Sequence, residues 1–262
     1  LPLDGRQVAI IADEFVDPEF GTGCVKVTPA HDPNDFAMAE RHNLEFINIM
    51  NDDASLNGNV PKEYQGLSRE KARKQVVSDI DSKGLLDKIE NHVNQIGYSE
   101  RGHVPIEFYM SEQWFMKMED LAKSALDAVN NGQITFHPAH WTKTYNHWME
   151  NIKDWCISRQ LWWGHKIPVW YNKNDPTEMH VSVDGPVDLQ NWEQDSDVLD
   201  TWASSWLWPM AVHNWPDSDE DLRKFYPTDA LVTGPDIIFF WVARMIITGY
   251  EFMDEQPFKD VY

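Results

Sequence analysis

One stretch of the chain constrains its fold more than any other: residues 232–245, VTGPDIIFFWVARM, where an apolar run is followed by a turn and a helical pattern. The run ALVTG ends at Gly234, and Gly234, Pro235 and Asp236 are residue types that favour a turn. A strand that leads through a turn into a helix is typical of an α/β sheet domain. Ligands of such sheets bind at the strand ends, where glycine permits close approach and an acidic side chain can bind ribose hydroxyls. A single Gly-x-Asp is weak support for a nucleotide site.

Three further segments carry the start and stop signals of helices. Asp32 precedes Pro33, which suits an N-cap followed by proline at the first helical position and predicts a short helix that ends near Asn43. A second helix is predicted over residues 68–84, between a serine and a glycine. A third is predicted over residues 119–129, where apolar side chains form one stripe.

Two segments in the first hundred residues alternate as β-strands do: QVAIIADEFV, residues 7–16, and GCVKVTPA, residues 23–30. In the second segment Lys26 and Thr28 alternate with two valines, and side chains two positions apart share one face of a strand. We therefore predict an apolar face for the core and a polar face that carries the lysine and the threonine.

The order of these elements predicts two domains, residues 1–100 and 101–262, with a soft boundary near residue 100. Residues 51–66 are polar and rich in turn-forming types, and they are predicted to form a loop. Residues 172–197 have the composition of an irregular insertion in the second domain.

Charge and hydropathy limit the function classes. The net charge is -21, with 43 acidic against 22 basic residues. Such a surface repels phosphate backbones, which disfavours a general nucleic-acid-binding domain unless basic residues cluster or the contacts lie elsewhere in a longer protein. No apolar stretch approaches the roughly 18 residues that suggest a membrane span. We expect a soluble, cytoplasmic protein that does not contact a membrane.

Cysteine and histidine give little indication of a metal site. Cys24 and Cys156 are far apart and form no CxxC pair, so neither a disulfide framework nor a thiolate zinc site is indicated. His137, His140 and His147 have passable ligand spacing, but no cysteine lies near them, and we favour a role other than metal binding. We expect no bound metal.

Residues 21–36, GTGCVKVTPAHDPNDF, place five chemically active side chains within ten positions: Lys26, Thr28, His31, Asp32 and Asp35. In a structural interpretation, Asp32 caps a helix, Asp35 complements the helix dipole, and Lys26 and Thr28 lie on a solvated strand face. In a functional interpretation, the strand face and the helix start meet at a small pocket. There two carboxylates could bind a cationic amine and polarise a water. The residues alone leave both interpretations open.

Three motifs occupy the second half of the chain. DWCISRQLWWGHKIPVWY, residues 154–171, clusters tryptophans beside a basic and polar turn, which favours core packing. DVLDTWASSWLWP, residues 197–209, has small residues between aromatic ones. The third motif is the stretch at residues 232–245 described above.

The motif at residues 21–36 resembles the editing domain that is inserted into valyl-tRNA synthetases, whose pattern is close to G-T-G-x-x-K-x-T-P-A-H-D-x-x-D. Isoleucyl enzymes typically have P-G-H where this chain has Pro29, Ala30 and His31, so the valine type fits better. The resemblance implies a pocket that hydrolyses threonine wrongly attached to the tRNA.

The resemblance also implies roles for single residues. Asp35 would bind the α-ammonium of the editing substrate. Lys26, Thr28 and Asp32 would contact its side-chain hydroxyl or the terminal adenosine, and they are the expected catalytic group together with Asp35. Phe20 would line the pocket near the terminal nucleotide.

The three later motifs resemble the second half of the catalytic domain of class I synthetases of the valine, isoleucine and leucine group. In that family Trp202, of the Asp-Thr-Trp motif, and Trp241, which closes Gly-x-Asp-x-x-x-x-Trp, would form walls of the amino-acid pocket. Gly234 and Asp236 would contact the adenosine and its ribose, and Ile237 would face the substrate side chain. After Gly-x-Asp this chain has Ile-Ile-Phe-Phe, as valyl enzymes do, where isoleucyl enzymes usually have Gln-His-Arg-Gly.

The implied fold class is α/β. The C-terminal portion of a β-rich editing (CP1) domain, residues 1–100, would be followed by the second half of a Rossmann-type catalytic domain with a connecting insertion, residues 101–262. The implied activity of the intact parent is ATP-dependent ligation of valine to tRNA(Val) through valyl adenylate, with hydrolytic editing of threonyl-tRNA(Val). The implied partners are tRNA(Val), valine and ATP with Mg²⁺, and we expect a monomer.

Several family signatures are absent from these residues: the HIGH and KMSKS motifs, the opening of the editing domain and the anticodon-binding helices. Since the two named motifs supply donors for ATP phosphates, we expect no aminoacylation by this chain alone. Some valyl enzymes carry cysteine pairs between the later motifs; this chain has none there, so we predict no zinc. The alternatives are an isoleucyl enzyme, a free-standing editing hydrolase and a non-catalytic binding module.

Overall fold

The computed structural model describes residues 1–100, 102–217 and 220–262. The chain divides into two compact units, Leu1–Glu112 and Gln113–Tyr262. The division therefore falls twelve residues after the boundary placed near residue 100, and Arg101, with which the second predicted domain begins, lies outside the described residues.

The first unit contains two α-helices, α1 (Pro33–His42) and α2 (Arg69–Ser82), and a 3-10 turn at Lys62–Tyr64. Both helices confirm the predictions from capping residues. The Asp32 side chain caps α1, and the helix ends at Asn43, whose φ of 51° is left-handed. Ser68 caps α2 by accepting from the Lys71 amide.

The two strands predicted in this unit are absent, so that prediction was wrong. Among the described residues, segments 7–16 and 23–30 belong to no ladder, and the backbone hydrogen bonds around them are local, such as Val16 N to Asp13 O at 3.1 Å. The physical reason is that alternation of apolar and polar residues gives a strand two different faces, but a strand also needs a neighbouring strand to pair with its N–H and C=O groups. Val8 and Val25 consequently remain more than half exposed.

The core of the first unit lies between the α1–α2 connection and helix α2. Residues 51–66 do form a turn-rich loop, as predicted, and it folds back through isolated bridges between Met50 and Leu56 and between Ser55 and Ser68. The core comprises Met50, Leu56, Tyr64 and Ala72, with Ile49, Val60, Leu67 and Val76 packed against them. The first unit therefore has a small core, formed by one loop and one helix.

The second unit mixes helices and short strands. Its helices are α3 (Glu119–Asn130), α4 (Trp141–Glu150), α5 (Trp202–Ser205), α6 (Trp208–Ala211), α7 (Glu220–Phe225) and α8 (Ala243–Met253). Its strands are β1 (Phe115–Met116), β2 (Thr135–Phe136), β3 (Trp155–Cys156), β4 (Ser158–Arg159), β5 (Val169–Asn172), β6 (Met179–Val181), β7 (Trp192–Gln194), β8 (Val198–Leu199), β9 (Thr228–Leu231) and β10 (Phe258–Val261). Helix α3 confirms the third predicted helix.

A three-stranded parallel sheet, in the order β2-β10-β9, organises this unit. Helix α8 connects β9 to β10, which makes a β-α-β unit of the kind that the stretch at residues 232–245 predicts. Leu231, Val261 and Phe136 are in register, so the three strands end at one edge of the sheet. Strand β9 lies at the outside of the sheet and pairs only with β10 among the described strands.

The core of the second unit is formed where helices α3 and α8 pack on each other and on the sheet. Small residues of α3, such as Ala125, allow close approach to Ile246 and Ile247 of α8, and all three side chains are buried. Tyr145 of α4 is also fully buried and donates its hydroxyl to the Ala125 carbonyl at 2.9 Å. This packing fixes the helix that follows the Gly234 turn.

Residues 172–197 are more regular than predicted. They contain β6 and β7, which pair antiparallel with β5 on either side in a sheet of order β6-β5-β7. The many Asn, Asp, Gly and Pro residues do mark the connections, but strands of three residues are too short to show a period of two in a sequence. The prediction of an irregular insertion was therefore wrong in part.

Candidate functional site

Thr28 and Asp35 come together at the start of helix α1. The Asp35 Oδ2 atom accepts from the Thr28 backbone amide at 2.6 Å and from the Thr28 hydroxyl at 3.0 Å. Asp35 is only 7% exposed, although it carries a carboxylate. Its Oδ1 atom accepts no hydrogen bond from the described residues. The pair thus leaves one carboxylate oxygen available to an external cation.

Asp32 is the N-cap residue of helix α1. Its Oδ1 atom accepts from the amides of Asn34 at 2.8 Å and Asp35 at 3.2 Å, which satisfies two of the unpaired N–H groups of the first turn. The same bonds hold the Asp35 backbone in place. The structural interpretation of Asp32 is therefore confirmed, and a role in binding would have to use its other oxygen.

Lys26 is exposed and makes no hydrogen bond or ion pair with the described residues. Together with Thr28 it lines a mainly apolar cavity of about 1160 Å³, which also borders residues 6–13 and 43–49. Phe20 is 80% exposed and borders a neighbouring cavity of about 530 Å³, which shares Val16, Cys24 and Val25 with the first one. The structure thus brings Thr28 and Asp35 together, leaves Lys26 at the first cavity and places Phe20 at the second.

His31 belongs to the same motif but was not among the predicted site residues. Its Nε2 atom accepts from the Ile49 amide at 3.0 Å, so the proton is on Nδ1, which donates to the Phe108 carbonyl at 3.0 Å. The neutral ring ties three segments of the first unit together. Its position within the motif was the one signal in the sequence, because its partners are distant along the chain.

The turn after β9 is shaped by a close approach at Gly234. A Cβ atom at this position would lie 2.5 Å from the Asp236 Oδ1 atom, so a larger residue here would require the Asp236 side chain to move. A 3-10 turn, Pro235–Ile237, and a π-helical turn, Ile238–Val242, lead into α8. Asp236 is exposed and Ile237 is half-buried at the carboxyl edge of the sheet, where α/β proteins bind ligands.

The two predicted tryptophan walls lie close to this turn. The Trp202 ring stacks on Phe240 with centroids 6.0 Å apart, and the Trp241 ring meets Trp208 edge-on at 5.9 Å. Trp241 Nε1 also donates to the Ser205 carbonyl at 3.0 Å. Both walls are half-buried, so each ring has a surface that a small apolar ligand could cover.

A charged cluster lies behind these walls. Asp200 is 6% exposed, and its carboxylate accepts from Arg159 and, at 3.2 Å, from Trp155 Nε1. The Arg244 guanidinium is stacked over the Trp155 ring at 3.5 Å and is 7% exposed. Burial lowers the pKa of Arg244 to about 10; the Asp200 carboxylate opposes this shift and Arg159 adds to it.

The histidines considered as ligands each have another role. His137 Nε2 lies 2.7 Å from Asp260 Oδ1, and its ring stacks on Tyr262. His140 packs against Trp141, and His147 contacts Asn151. Over residues 1–100, 102–217 and 220–262, no three His, Cys, Asp or Glu side chains are grouped as metal ligands. In the same ranges no helix is long and apolar enough to span a bilayer.

Comparison with known proteins assigns the chain to a class of enzymes. The family described as "tRNA synthetases class I (I, L, M and V)" matches residues 35–191 and 187–262. The match covers well over half of the chain, and the chain belongs to this family.

The relatives make the type more specific. The chain is 55% identical to the valine–tRNA ligase of Bacillus licheniformis and 56% identical to that of Geobacillus stearothermophilus, over 100% of this chain. Identity to the valine–tRNA ligase of Treponema denticola is 53%. The prediction of similarity to valyl-tRNA synthetases is confirmed. The chain spans 29 to 30% of the length of these relatives.

A crystal structure of Mycobacterium tuberculosis methionyl-tRNA synthetase with methionyl-adenylate is a more distant match. It is 18% identical, with a TM-score of 0.43 over 64% of this chain and 29% of that chain. A likeness at this level adds nothing to the assignment.

Proposed function

We propose that this chain is the part of a valyl-tRNA synthetase that joins the editing function to the catalytic one. The observation that carries the proposal is 53 to 56% identity to valine–tRNA ligases along the whole chain. The intact enzyme would ligate valine to tRNA(Val) through valyl adenylate and would hydrolyse threonyl-tRNA(Val). It would act in the cytoplasm as a monomer.

Each unit takes one of these tasks in the proposal. Leu1–Glu112 is the C-terminal portion of the editing (CP1) domain, supported by the motif around Thr28 and Asp35. Gln113–Tyr262 is the second half of the Rossmann-type catalytic domain, supported by the parallel sheet and the Gly234 turn.

In the activation step, the carboxylate of valine attacks the α-phosphate of ATP, giving valyl adenylate and pyrophosphate. Trp202, Trp241 and Ile237 would enclose the isopropyl group, and Gly234 and Asp236 would bind the adenosine and its ribose. Mg²⁺ would enter with ATP, since this cation binds largely through phosphate oxygens and water. The valyl group would then pass to the terminal ribose of the tRNA.

A second site is needed because threonine and valine are nearly isosteric. A hydrophobic pocket rejects the added hydroxyl by only about 10²-fold, a value that the valyl enzyme itself exemplifies. An editing pocket must do the reverse and reward the hydroxyl, because an unpaired polar group left by valine costs about 1 to 3 kcal/mol. Water would then cleave the ester, releasing threonine and free tRNA.

The geometry around Thr28 supports this division of roles. The free Oδ1 atom of Asp35 would bind the α-ammonium, while Thr28 holds the carboxylate in place through Oδ2. Lys26 would reach the hydroxyl or the terminal adenosine from the adjoining cavity, and Asp32 would contribute its uncapped oxygen. Phe20 would act at the rim, against the terminal nucleotide.

Three other assignments explain fewer of these features. A free-standing editing hydrolase would have no use for Trp202, Trp241 and the Gly234 turn. A binding module without catalysis would not need a buried carboxylate beside a free lysine. An isoleucyl enzyme is disfavoured by the Ile237–Phe240 stretch and by the names of the relatives above.

The test of the editing role uses a full-length synthetase that contains this chain. Asp35→Ala should let threonyl-tRNA(Val) accumulate, because the ammonium loses its counter-charge, while valine-dependent pyrophosphate exchange stays near normal. Asp87→Ala, an exposed aspartate of the same unit, is the matched control. Unchanged deacylation of threonyl-tRNA by the Asp35 variant would remove this residue from the site.

The test of the catalytic role changes Trp202. Trp202→Ala should weaken valine activation and leave threonyl-tRNA deacylation intact, because one wall of an apolar pocket is lost. Pyrophosphate exchange at varied valine measures the effect, and isoleucine in place of valine separates the two enzyme types. Normal kcat and KM for valine would contradict the assignment of this wall.

A further inference from the structure

Asp200 holds Trp202 through the backbone. Its Oδ1 atom accepts from the Trp202 amide at 2.8 Å, and its own amide donates to the Ile157 carbonyl at 2.7 Å. The carbonyl of Asp200 also accepts from Ala203 at 2.8 Å. The first turn of α5, which begins at Trp202, is thereby attached to one carboxylate.

Arg159 fixes that carboxylate. One of its nitrogens, Nη1, donates to the carbonyls of Cys156 at 2.9 Å and Ser158 at 2.8 Å, while Nη2 contacts Asp200 Oδ2. A planar guanidinium with its donors directed at three acceptors has little freedom to move. Strands β4 and β8, which contain or adjoin these residues, are paired, so the contact joins two neighbouring strands.

Trp155 supplies a second donor to Oδ2 from a ring that is itself packed on both sides. The Arg244 guanidinium lies over its ring at 3.5 Å, and Trp206 meets it edge-on at 5.3 Å. The Arg244 Nη1 atom has no hydrogen-bond partner among the described residues, so this buried cation is stabilised by the ring and by the nearby carboxylate.

The two predicted walls are anchored in different ways. Trp241 is held directly, because its Nε1 donates to the Ser205 carbonyl. The indole N–H of Trp202 has no partner among the described residues, and its ring is held only by apolar contacts, with Phe240 and with the core of the second unit. The hydrogen bond from its backbone amide to Asp200 is therefore the directional contact that fixes where the Trp202 ring starts from.

We propose that Asp200, held by Arg159 and Trp155, is a positioning residue that sets the place of Trp202 and thereby the width of the valine pocket. The inference rests on the proposed function, in which Trp202 encloses valine. It also assigns a role to the motif at residues 154–171, because Trp155 and Arg159 of this motif donate to the Asp200 Oδ2 atom.

A misplaced wall weakens binding of the amino-acid side chain and leaves ATP binding unchanged. Asp200→Ala in a full-length synthetase should raise the KM for valine by on the order of 10-fold, the effect of one poorly fitted methylene. The KM for ATP should stay within about twofold of the wild type, because the lost contacts are with the valine side chain and not with ATP. Discrimination between valine and isoleucine should fall as well.

Three variants separate positioning from a general loss of stability. Asp200→Asn keeps an acceptor for the Trp202 amide and should partly restore the KM for valine. Trp155→Phe removes one donor to Oδ2 but keeps a ring under Arg244, and it should show a smaller rise. Asp229→Asn, whose side chain is almost fully exposed in the same unit, should change neither KM. If Asp200→Ala does not fold, the Asn and Phe variants carry the test.

The decisive measurement is a double-mutant cycle with Trp202→Ala. Because Asp200 acts through Trp202, Asp200→Ala should add little to the KM for valine once the ring is absent. Additive effects, or equal rises in the KM values for valine and ATP, would overturn the role of Asp200. Failure of the wild-type enzyme to exchange pyrophosphate with valine would instead overturn the proposed function, and the inference with it.

Discussion

Among the described residues, the Asp35 carboxylate accepts hydrogen bonds only from Thr28, seven positions earlier in the chain. The hydroxyl bond belongs to the side chain, whereas the amide bond would survive most substitutions of Thr28. The two contributions can therefore be separated by changing the side chain alone.

Thr28→Val removes the hydroxyl donor and keeps the shape of the side chain. We expect the free energy of unfolding to fall by about 1 kcal/mol, the usual contribution of one hydrogen bond. Urea denaturation measures the change, with Thr142→Val, a half-exposed threonine on α4, as the control. Equal stability of the Thr28 variant and the wild type would mean that the hydroxyl does not support Asp35.

Tyr64 gives the first unit a sensitivity to alkaline pH. Its hydroxyl donates to Asp79 at 2.7 Å, and this bond, followed by burial, raises the pKa of Tyr64 to about 12. A raised pKa contributes stability that is complete below the unfolded value of 10.0 and is lost as the pH rises to about 12.

Tyr64→Phe should therefore be less stable than the wild type at pH 7, and the difference should shrink above pH 10.0, the unfolded value. Urea denaturation across this range measures the difference, and absorbance of tyrosinate follows the ionisation. Tyr98→Phe, at an exposed position, is the control. A constant difference between the two proteins at every pH would show that the hydroxyl is not linked to Asp79.

For single residues, the sequence predicts contacts within one motif better than contacts between residues that are far apart in the chain. Thr28 and Asp35, which the motif groups together, do contact each other, since the helix cap at Asp32 determines the local geometry. His31 reaches Phe108, 77 positions away, and Arg244 reaches the Trp155 ring, and no local pattern indicates either contact. Phe20, expected near the same pocket, borders a neighbouring cavity that shares Val16, Cys24 and Val25 with it.

Helix α1 is anchored at its last turn by Asp13. Arg41 binds this carboxylate through two nitrogens, at 2.8 and 3.0 Å, and His42 Nε2 lies 2.9 Å from it. These contacts, with Arg41 foremost, hold the pKa of Asp13 well below its usual range. A lowered pKa contributes stability above the unfolded value of 3.8 that is lost as the pH falls through the folded value.

Asp13→Asn should destabilise the first unit at pH 7, and the difference from the wild type should narrow as the pH falls below the unfolded value of 3.8. Urea denaturation over this range measures it. Asp17→Asn, an exposed neighbour whose carboxylate accepts only a local amide, is the control. A difference that is equally large at acid pH would exclude the Arg41 pair as its cause.

Helices were predicted more accurately than strands, for a physical reason. Capping residues such as Asp32 and Ser68 act within one turn, so a helix boundary can be found locally. Residues 7–16 and 23–30 alternate correctly but find no ladder among the described residues, because pairing depends on a distant segment. At β6 and β7 the sequence predicted no strands although the structure has them. Both strands form because they pair with β5, and their own residues show little strand pattern.

The whole molecule carries a net charge of -21, and this charge opposes the compact state through self-repulsion. At low ionic strength the repulsion extends over a Debye length of roughly 30 Å, which shrinks to about 8 Å at physiological salt. Stability should therefore depend on salt as well as on packing.

We expect the Tm of the chain at pH 7 to rise as sodium chloride is increased from about 10 to about 150 mM, the range over which screening changes most. The control is the same titration near the sequence pI of about 4.7, where the repulsion largely vanishes and the rise should be much smaller. Differential scanning fluorimetry gives both curves. Equal salt effects at the two pH values would assign the rise to another cause.

The α/β character of the second unit was predictable because one strand, one turn and one helix follow each other along the chain. The sheet order β2-β10-β9 was not, since it joins strands more than 100 residues apart. The division after Glu112 was also beyond the sequence, since compactness depends on contacts such as that between Arg69 and Glu107.

Strand β9 lies at an edge of the parallel sheet, and its position affects how the purified chain should be stored. Its outer row of amide and carbonyl groups is unpaired among the described strands, and such an edge can recruit a strand from another molecule. The exposed Asp229 carboxylate lies on this strand, 3.6 Å from Lys259 Nζ, and a charged side chain on an edge strand disfavours such pairing. Shelf life of concentrated samples should accordingly shorten when acid neutralises this carboxylate, with turbidity appearing before any loss of helix.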